Sequence, residues 1–271
     1  AKSRAASKTD RDAYHALDYM VYAALQLGRD ADVRGWVEYV RTAPKPREET
    51  RQIAYAAAAI PARFTLERGE WAEAARLELR PARDAFNWKA FPEGESVNAY
   101  ARGLGAARSG DARAAKAEID RISGLREAMT AQKKDYWVEQ ANIQIEALEA
   151  WLARAEGRDD DAVTLMRSAA DREDRTEEHI MMPGRVIPVR EMLGELLLDL
   201  GRPTPASAAF GQSLQADPNR FRSLHGAARA AELTGDSGEA SKYYSQLLQQ
   251  ADPQASDRKE IVQARAFLAG H

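Results

Sequence analysis

A glycine followed five residues later by a small apolar side chain occurs six times along this chain. No other feature restricts the possible fold as tightly. The pairs are Gly28 with Val33, Gly69 with Ala74, Gly110 with Ala115, Gly157 with Ala162, Gly201 with Ala206 and Gly235 with Ala240. The glycines recur at intervals of about 34 to 47 residues, the range of helical repeat arrays in which neighbouring units bury each other's apolar faces. A glycine just past a helix end takes the left-handed conformation that a Cβ would penalise. The polar turn that follows carries an aspartate in four cases, Asp30, Asp111, Asp159 and Asp236, each able to cap the next helix. The small residue then falls early in a second helix, where two helices must approach closely. The spacing predicts about six helical hairpins over residues 11–270, closed by one terminal helix.

The stretches between the glycines carry the helical period. In residues 12–28, Leu17, Met20, Val21 and Ala24 recur at offsets of three and four, which predicts one buried stripe, with Thr9 and Asp12 as a capping pair at its start. Residues 49–69 read as helix with a kink expected at Pro61, and residues 135–157 as the longest periodic helix. Residues 256–270 read as a capping helix, begun by Ser256 or Asp257 and carrying Ile261, Ala264, Phe267 and Leu268 on one side. No run of alternating β-branched residues is bounded by turn dipeptides. The fold class expected is all-α, one helical domain throughout.

Composition narrows the function classes. Lys and Arg number 39 against 42 Asp and Glu, a net charge of −3. That balance gives no field favouring nucleic acid or an anionic membrane. No apolar run is long enough to span a bilayer. Cysteine is absent, which removes disulfides, zinc–thiolate sites and cysteine nucleophiles together. The opening Ala1-Lys2-Ser3-Arg4 carries no initiator methionine, as in a processed chain or a piece of a longer one. Cytoplasm and periplasm are both compatible with it, and oligomeric state is open.

From residue 187 to 254 the hairpins resemble the tetratricopeptide repeat, whose pattern runs W-x2-L-G-x2-Y, A-x3-F and P over about 34 residues. Leu193-Gly194-x2-Leu197, Ala206-x3-Phe210 and Pro218 occupy those slots, with Arg190 where the pattern has Trp. One repeat later come Ala228-x2-Ala231, Ala240-x3-Tyr244 and Pro253, the proline one position late. The four upstream hairpins share only the glycine-to-small spacing, at longer periods. Over its whole length the chain is similar to bacterial tetratricopeptide-like proteins. The resemblance implies a right-handed superhelix whose concave groove holds a protein or peptide segment and whose first helices line that groove. Counting thirteen, ten and six residues back from each turn glycine then gives the groove stripe. From it Tyr22, Arg63, Tyr100, Trp151, Glu195 and Arg229 are the expected ligand-facing side chains, with His15 and His225 beside them. Aromatic rings and arginine forks anchor bound segments best.

Catalytic signatures are weak. His15, His179, His225 and His271 form no pair at helical spacing, so no metal site and no cofactor is expected. Residues 103–108, "GLGAAR", lack the third glycine and preceding strand of a dinucleotide fingerprint and read as close helix packing. "SDRK" at 256–259 lacks the companion motifs of S-x-x-K enzymes and reads as a cap. "EGRDDDA" at 156–162 lacks EF-hand spacing and reads as acidic residues complementing a helix start.

One stretch breaks the array. Residues 171–191 begin with mixed charge and continue through Met181, Met182, Val186 and Ile187, too apolar for a free loop. It either covers a seam between the divergent and regular hairpins, or leans into the groove and gates a ligand. Two functions follow. The first is a non-catalytic scaffold for a protein or peptide segment. The second is a small-ligand protein or enzyme with a pocket under residues 179–188, marked by clustered titratable groups with shifted pKa values.

Overall fold

All six turn glycines are left-handed, with φ between 66° and 83°. Each closes its helix in the same way. The glycine N–H donates to the carbonyl three residues back, and the next N–H donates to the carbonyl five before itself. At Gly110 these are Ala107 at 3.2 Å and Ala106 at 2.9 Å, and at Gly235 Glu232 at 3.1 Å and, from Asp236, Ala231 at 2.9 Å. This is the Schellman arrangement, which satisfies carbonyls the helix end would orphan. The six paired residues, Val33, Ala74, Ala115, Ala162, Ala206 and Ala240, are all wholly buried. The recurrent spacing is therefore a recurrent turn followed by a recurrent close contact.

The structure is a computed structural model that describes residues 9–177, 179, 182, 185–252 and 258–270. Among these residues it is all-α, with thirteen α-helices and no strand. In chain order they are α1 (Asp10–Gln26), α2 (Asp30–Thr42), α3 (Arg51–Glu67), α4 (Trp71–Ala74), α5 (Pro92–Arg108), α6 (Ala112–Ala131), α7 (Asp135–Ala155), α8 (Asp159–Asp174), α9 (Val189–Asp199), α10 (Pro203–Ala216), α11 (Phe221–Thr234), α12 (Ser237–Gln250) and α13 (Lys259–Gly270). Consecutive helices make six pairs, and α13 follows them alone.

Local chemistry sets most boundaries. Thr9 Oγ1 accepts from the Asp12 N–H at 3.1 Å, and Asp111 and Asp236 cap α6 and α12 at 2.9 and 3.0 Å. Asp30 and Asp159 instead lie within the first turns of α2 and α8 and bind Arg258 and Arg154. Pro61 sits inside a continuous α3. Met20 is exposed, because it lies on the flank of the α1 stripe formed by Leu17, Val21 and Ala24. The helix after Gly69 lasts only one turn. Residues 75–87 run irregularly to a 3-10 turn at Trp88–Ala90. Ser256 and Asp257 lie outside the described residues, as does Pro253.

The chain divides into two compact units, Ala1–Tyr22 with Arg34–Val186, and Ala23–Val33 with Ile187–His271. In the first, α5 packs against α3, α4, α6 and α7. Its glycines permit this. A Cβ on Gly94 would come within 2.8 Å of the Ala54 carbonyl, and one on Gly105 within 2.3 Å of the Ala75 nitrogen. "GLGAAR" is thus a packing motif. In the second unit the buried Phe210 ring fills the space above Gly194 and Gly226, where added Cβ atoms would approach to 2.7 and 2.3 Å. A buried ion pair, Arg258 Nε to Asp30 Oδ2 at 2.8 Å, ties the two ends of this unit's sequence together. The same guanidinium stacks on Phe221, 4.4 Å from the ring centroid.

Candidate functional site

α3 is apolar around nearly its whole circumference, from Ile53 through the alanines at 56–59 to Leu66. A charge set into such a helix needs an anion. Arg63 is that charge, 0% exposed, and its Nε donates to Asp18 Oδ1 on α1 at 3.0 Å. The guanidinium also lies 5.5 Å from the centroid of the Tyr22 ring. Burial raises the Asp18 carboxyl above its ordinary value, and the Arg63 charge works against that rise.

Arg63 reaches further. Its Nη1 donates to the main-chain carbonyl of Arg185 at 2.6 Å, in the segment that follows α8. Two other helices bond the main chain of the same segment. Tyr19 Oη of α1 donates to the Met182 carbonyl at 3.2 Å, and the His179 N–H donates to Tyr136 Oη of α7 at 3.2 Å. The segment's side chains are seated as well. The His179 ring packs 5.2 Å from Tyr136 and 5.4 Å from Trp137, and burial lowers its pKa with help from the Arg51 charge. Met182 and Val186 are buried. The Arg185 Nε lies 3.4 Å from the Glu173 carboxylate, and its Nη2 donates to the Glu173 carbonyl at 3.3 Å. Tyr100 on α5 adjoins this pair, for burial and the Glu173 charge push its phenol well above the ordinary value.

Of the expected groove residues, Arg63 alone bonds this segment directly; Tyr22 lies against the Arg63 guanidinium, Tyr100 feels the Glu173 charge, and His15 meets the edge of Tyr19 at 5.0 Å. Arg63 and Tyr100 are buried and do not face open solvent, which corrects their expected place as ligand-facing side chains. Trp151 is a correction. It is buried at the far end of α7, stacked on Arg108 at 4.0 Å, with Trp71 on that guanidinium at 4.7 Å. The α7 face that bears it also bears Gln144, bonded to Ser96 of α5, and Leu148, packed on Gly103. That face belongs to the seam between α5 and α7.

The remaining three candidates lie in the second unit. Glu195 forms an ion pair with Arg222. His225 and Arg229 turn toward α13, correcting their expected place in an open groove. We assign the Gln263 amide with its nitrogen donating to His225 Nε2 at 3.0 Å. Its oxygen then accepts from Arg229 Nε at 3.1 Å and Nη1 at 2.9 Å. His271 lies outside the described residues.

Tyr19, Tyr136, Trp137, Glu173 and Arg185 were not singled out by the stripe, and His179 was noted only as a lone histidine. The signal for them is the apolar stretch 179–188 itself, of which residues 179, 182 and 185 bond to α1, α3, α7 and α8.

A separate concavity of about 520 Å³ in the first unit is floored by Phe86 and Trp88 and rimmed by Lys45, Glu49, Arg83 and Glu95. Two of its carboxylates, Glu49 and Glu95, are matched within the chain. Glu95 accepts from Arg83 at 2.8 Å and from Arg121 at 2.6 Å, and Glu49 lies 3.3 Å from Lys45. Among the described residues no group of three or more His, Asp or Glu could hold a metal ion, and no helix is long and apolar enough to cross a membrane. Compared with known proteins, the chain matches no family model and no curated protein.

Proposed function

We propose that the chain is a non-catalytic, tetratricopeptide-like scaffold that binds a peptide segment of a partner protein, on the face where Tyr19 of α1, Arg63 of α3 and Tyr136 of α7 meet residues 179, 182 and 185. One observation carries this reading. Side chains of three different helices, Tyr19, Arg63 and Tyr136, hydrogen-bond to main-chain atoms of one non-helical segment. Bonds to main chain hold a peptide whatever its sequence, while the side-chain seats select among sequences; the Met182 N–H also donates to the His179 carbonyl at 2.9 Å, so the pattern includes a turn. The chain's own segment supplies the pattern that a partner would copy. The titratable groups nearby are ion-paired or hydrogen-bonded to this segment, which suits recognition.

The test uses the full-length chain with residues 177–185 replaced by a Gly/Ser linker of equal length. A labelled synthetic peptide of residues 176–188 is titrated in, with fluorescence anisotropy as the readout. Saturable binding in trans is expected. Tyr19→Phe and Tyr136→Phe each remove one main-chain hydrogen bond and weaken it roughly 2- to 10-fold. No binding, with far-UV circular dichroism unchanged from the unaltered chain, overturns the proposal.

A further inference from the structure

We propose that the concavity floored by Phe86 and Trp88 binds a free α-amino acid with an apolar side chain, recognised as its zwitterion. This goes beyond the peptide-binding reading and does not rest on it, because the concavity is lined by other residues.

The floor is fixed by packing. Phe86 and Trp88 are each 3% exposed, with ring centroids 5.0 Å apart, and Phe91 packs 5.8 Å from Phe86. The Trp88 Nε1–H donates to the Pro81 carbonyl at 2.9 Å, which holds the indole in one setting. A carbon floor keeps water from one side of any charge placed above it, and this strengthens attraction to an opposite charge. The space over the floor, about 520 Å³, suits a small molecule.

The rim divides into a matched half and an unmatched half. Glu95 takes Arg83 and Arg121, and Glu49 takes Lys45 and the Asn87 main-chain N–H. The side chains of Asp84, Asn87 and Lys89 also line the concavity and are exposed. Among the described residues, none of these three has a hydrogen-bond or ion-pair partner. They are an anion, an amide and a cation within residues 84–89, and Asp84 and Lys89 form no ion pair with each other.

A ligand with one charge satisfies one of these two groups and is repelled by the other. A zwitterion satisfies both. Its ammonium donates to the Asp84 carboxylate, and its carboxylate accepts from the Lys89 ammonium and the Asn87 amide. With both charges held at the rim, an apolar side chain turns to the floor, where a ring can lie against Phe86 and Trp88.

The experiment titrates L-phenylalanine into the full-length chain by isothermal calorimetry, beside 3-phenylpropionate, which lacks the ammonium, and 2-phenylethylamine, which lacks the carboxylate. L-phenylalanine is expected to bind saturably, and each analogue about 10-fold or more weakly. Asp84→Asn is expected to remove the preference over 3-phenylpropionate, and Lys89→Gln the preference over 2-phenylethylamine. Both side chains are exposed and unpaired, so far-UV circular dichroism is expected to be unchanged in either variant. No saturable heat up to about 10 mM L-phenylalanine overturns the proposal. Analogues that bind as tightly as L-phenylalanine overturn it too, as does binding that both variants leave unaltered. None of these outcomes bears on peptide binding.

Discussion

Arg63 and Asp18 show how a single pair can serve both fold and site. Two buried charges 3.0 Å apart are stable only together, since each would otherwise meet an apolar interior. Arg63→Ala leaves the Asp18 carboxylate without its guanidinium and is expected to destabilise the chain by about 3–5 kcal/mol. An Asp18→Leu/Arg63→Met double variant removes both charges at similar volume and is expected to lie near the stability of the unaltered chain. Urea denaturation midpoints of the three proteins check this. A double variant as unstable as Arg63→Ala would show that the lost contacts, not the stranded charge, set the effect. The places of Tyr22, Arg63 and Tyr100 along their helices are legible from sequence because the Schellman turn fixes where each helix ends, so a short backward count keeps its phase; the burial of Arg63 and Tyr100 is not. Tyr136 lies more than five turns before Gly157, where small errors in helical period accumulate. His179 and Arg185 stand in a segment with no period, and Glu173 ends a second helix, which the stripe does not address.

The elements differ in how much of their placement is local. Turn glycines, caps and buried small residues depend on neighbours a few positions away, and the six hairpins follow from them. The packing of Trp151 depends on the 21-residue α7 running along α5. The docking of α13 is also tertiary, and it carries a pH dependence. Burial lowers the His225 pKa, with Arg229 and Arg222 acting in the same sense and Glu260 opposing. In the assigned geometry His225 Nε2 accepts from Gln263, so the ring is neutral in the folded state. A histidine pKa lowered by folding means that the unfolded chain binds more protons below the ordinary value. Stability is then complete above about pH 6.5 and declines as pH falls through that value toward the folded pKa. Amide hydrogen exchange in α13 is expected to quicken between pH 7.5 and 5.5 beyond the intrinsic pH effect, and His225→Gln is expected to remove that excess. An excess that persists in the variant would assign it to another group.

At the scale of the whole chain, one hairpin rule runs through both compact units, yet the site lies where the rule is interrupted. The 39 basic and 42 acidic side chains nearly cancel, so a partner of either charge would meet little long-range field. The central claim is that a partner peptide binds where Tyr19, Arg63 and Tyr136 hold residues 182, 185 and 179. The most direct measurement is photo-crosslinking of a 176–188 peptide, with a benzophenone side chain in place of Met182, to the linker-replaced full-length chain. Mass mapping is expected to place the adducts on α1 near Tyr19 and on α3 near Arg63. Adducts confined to α6 or to the second unit, or none at all, would contradict it.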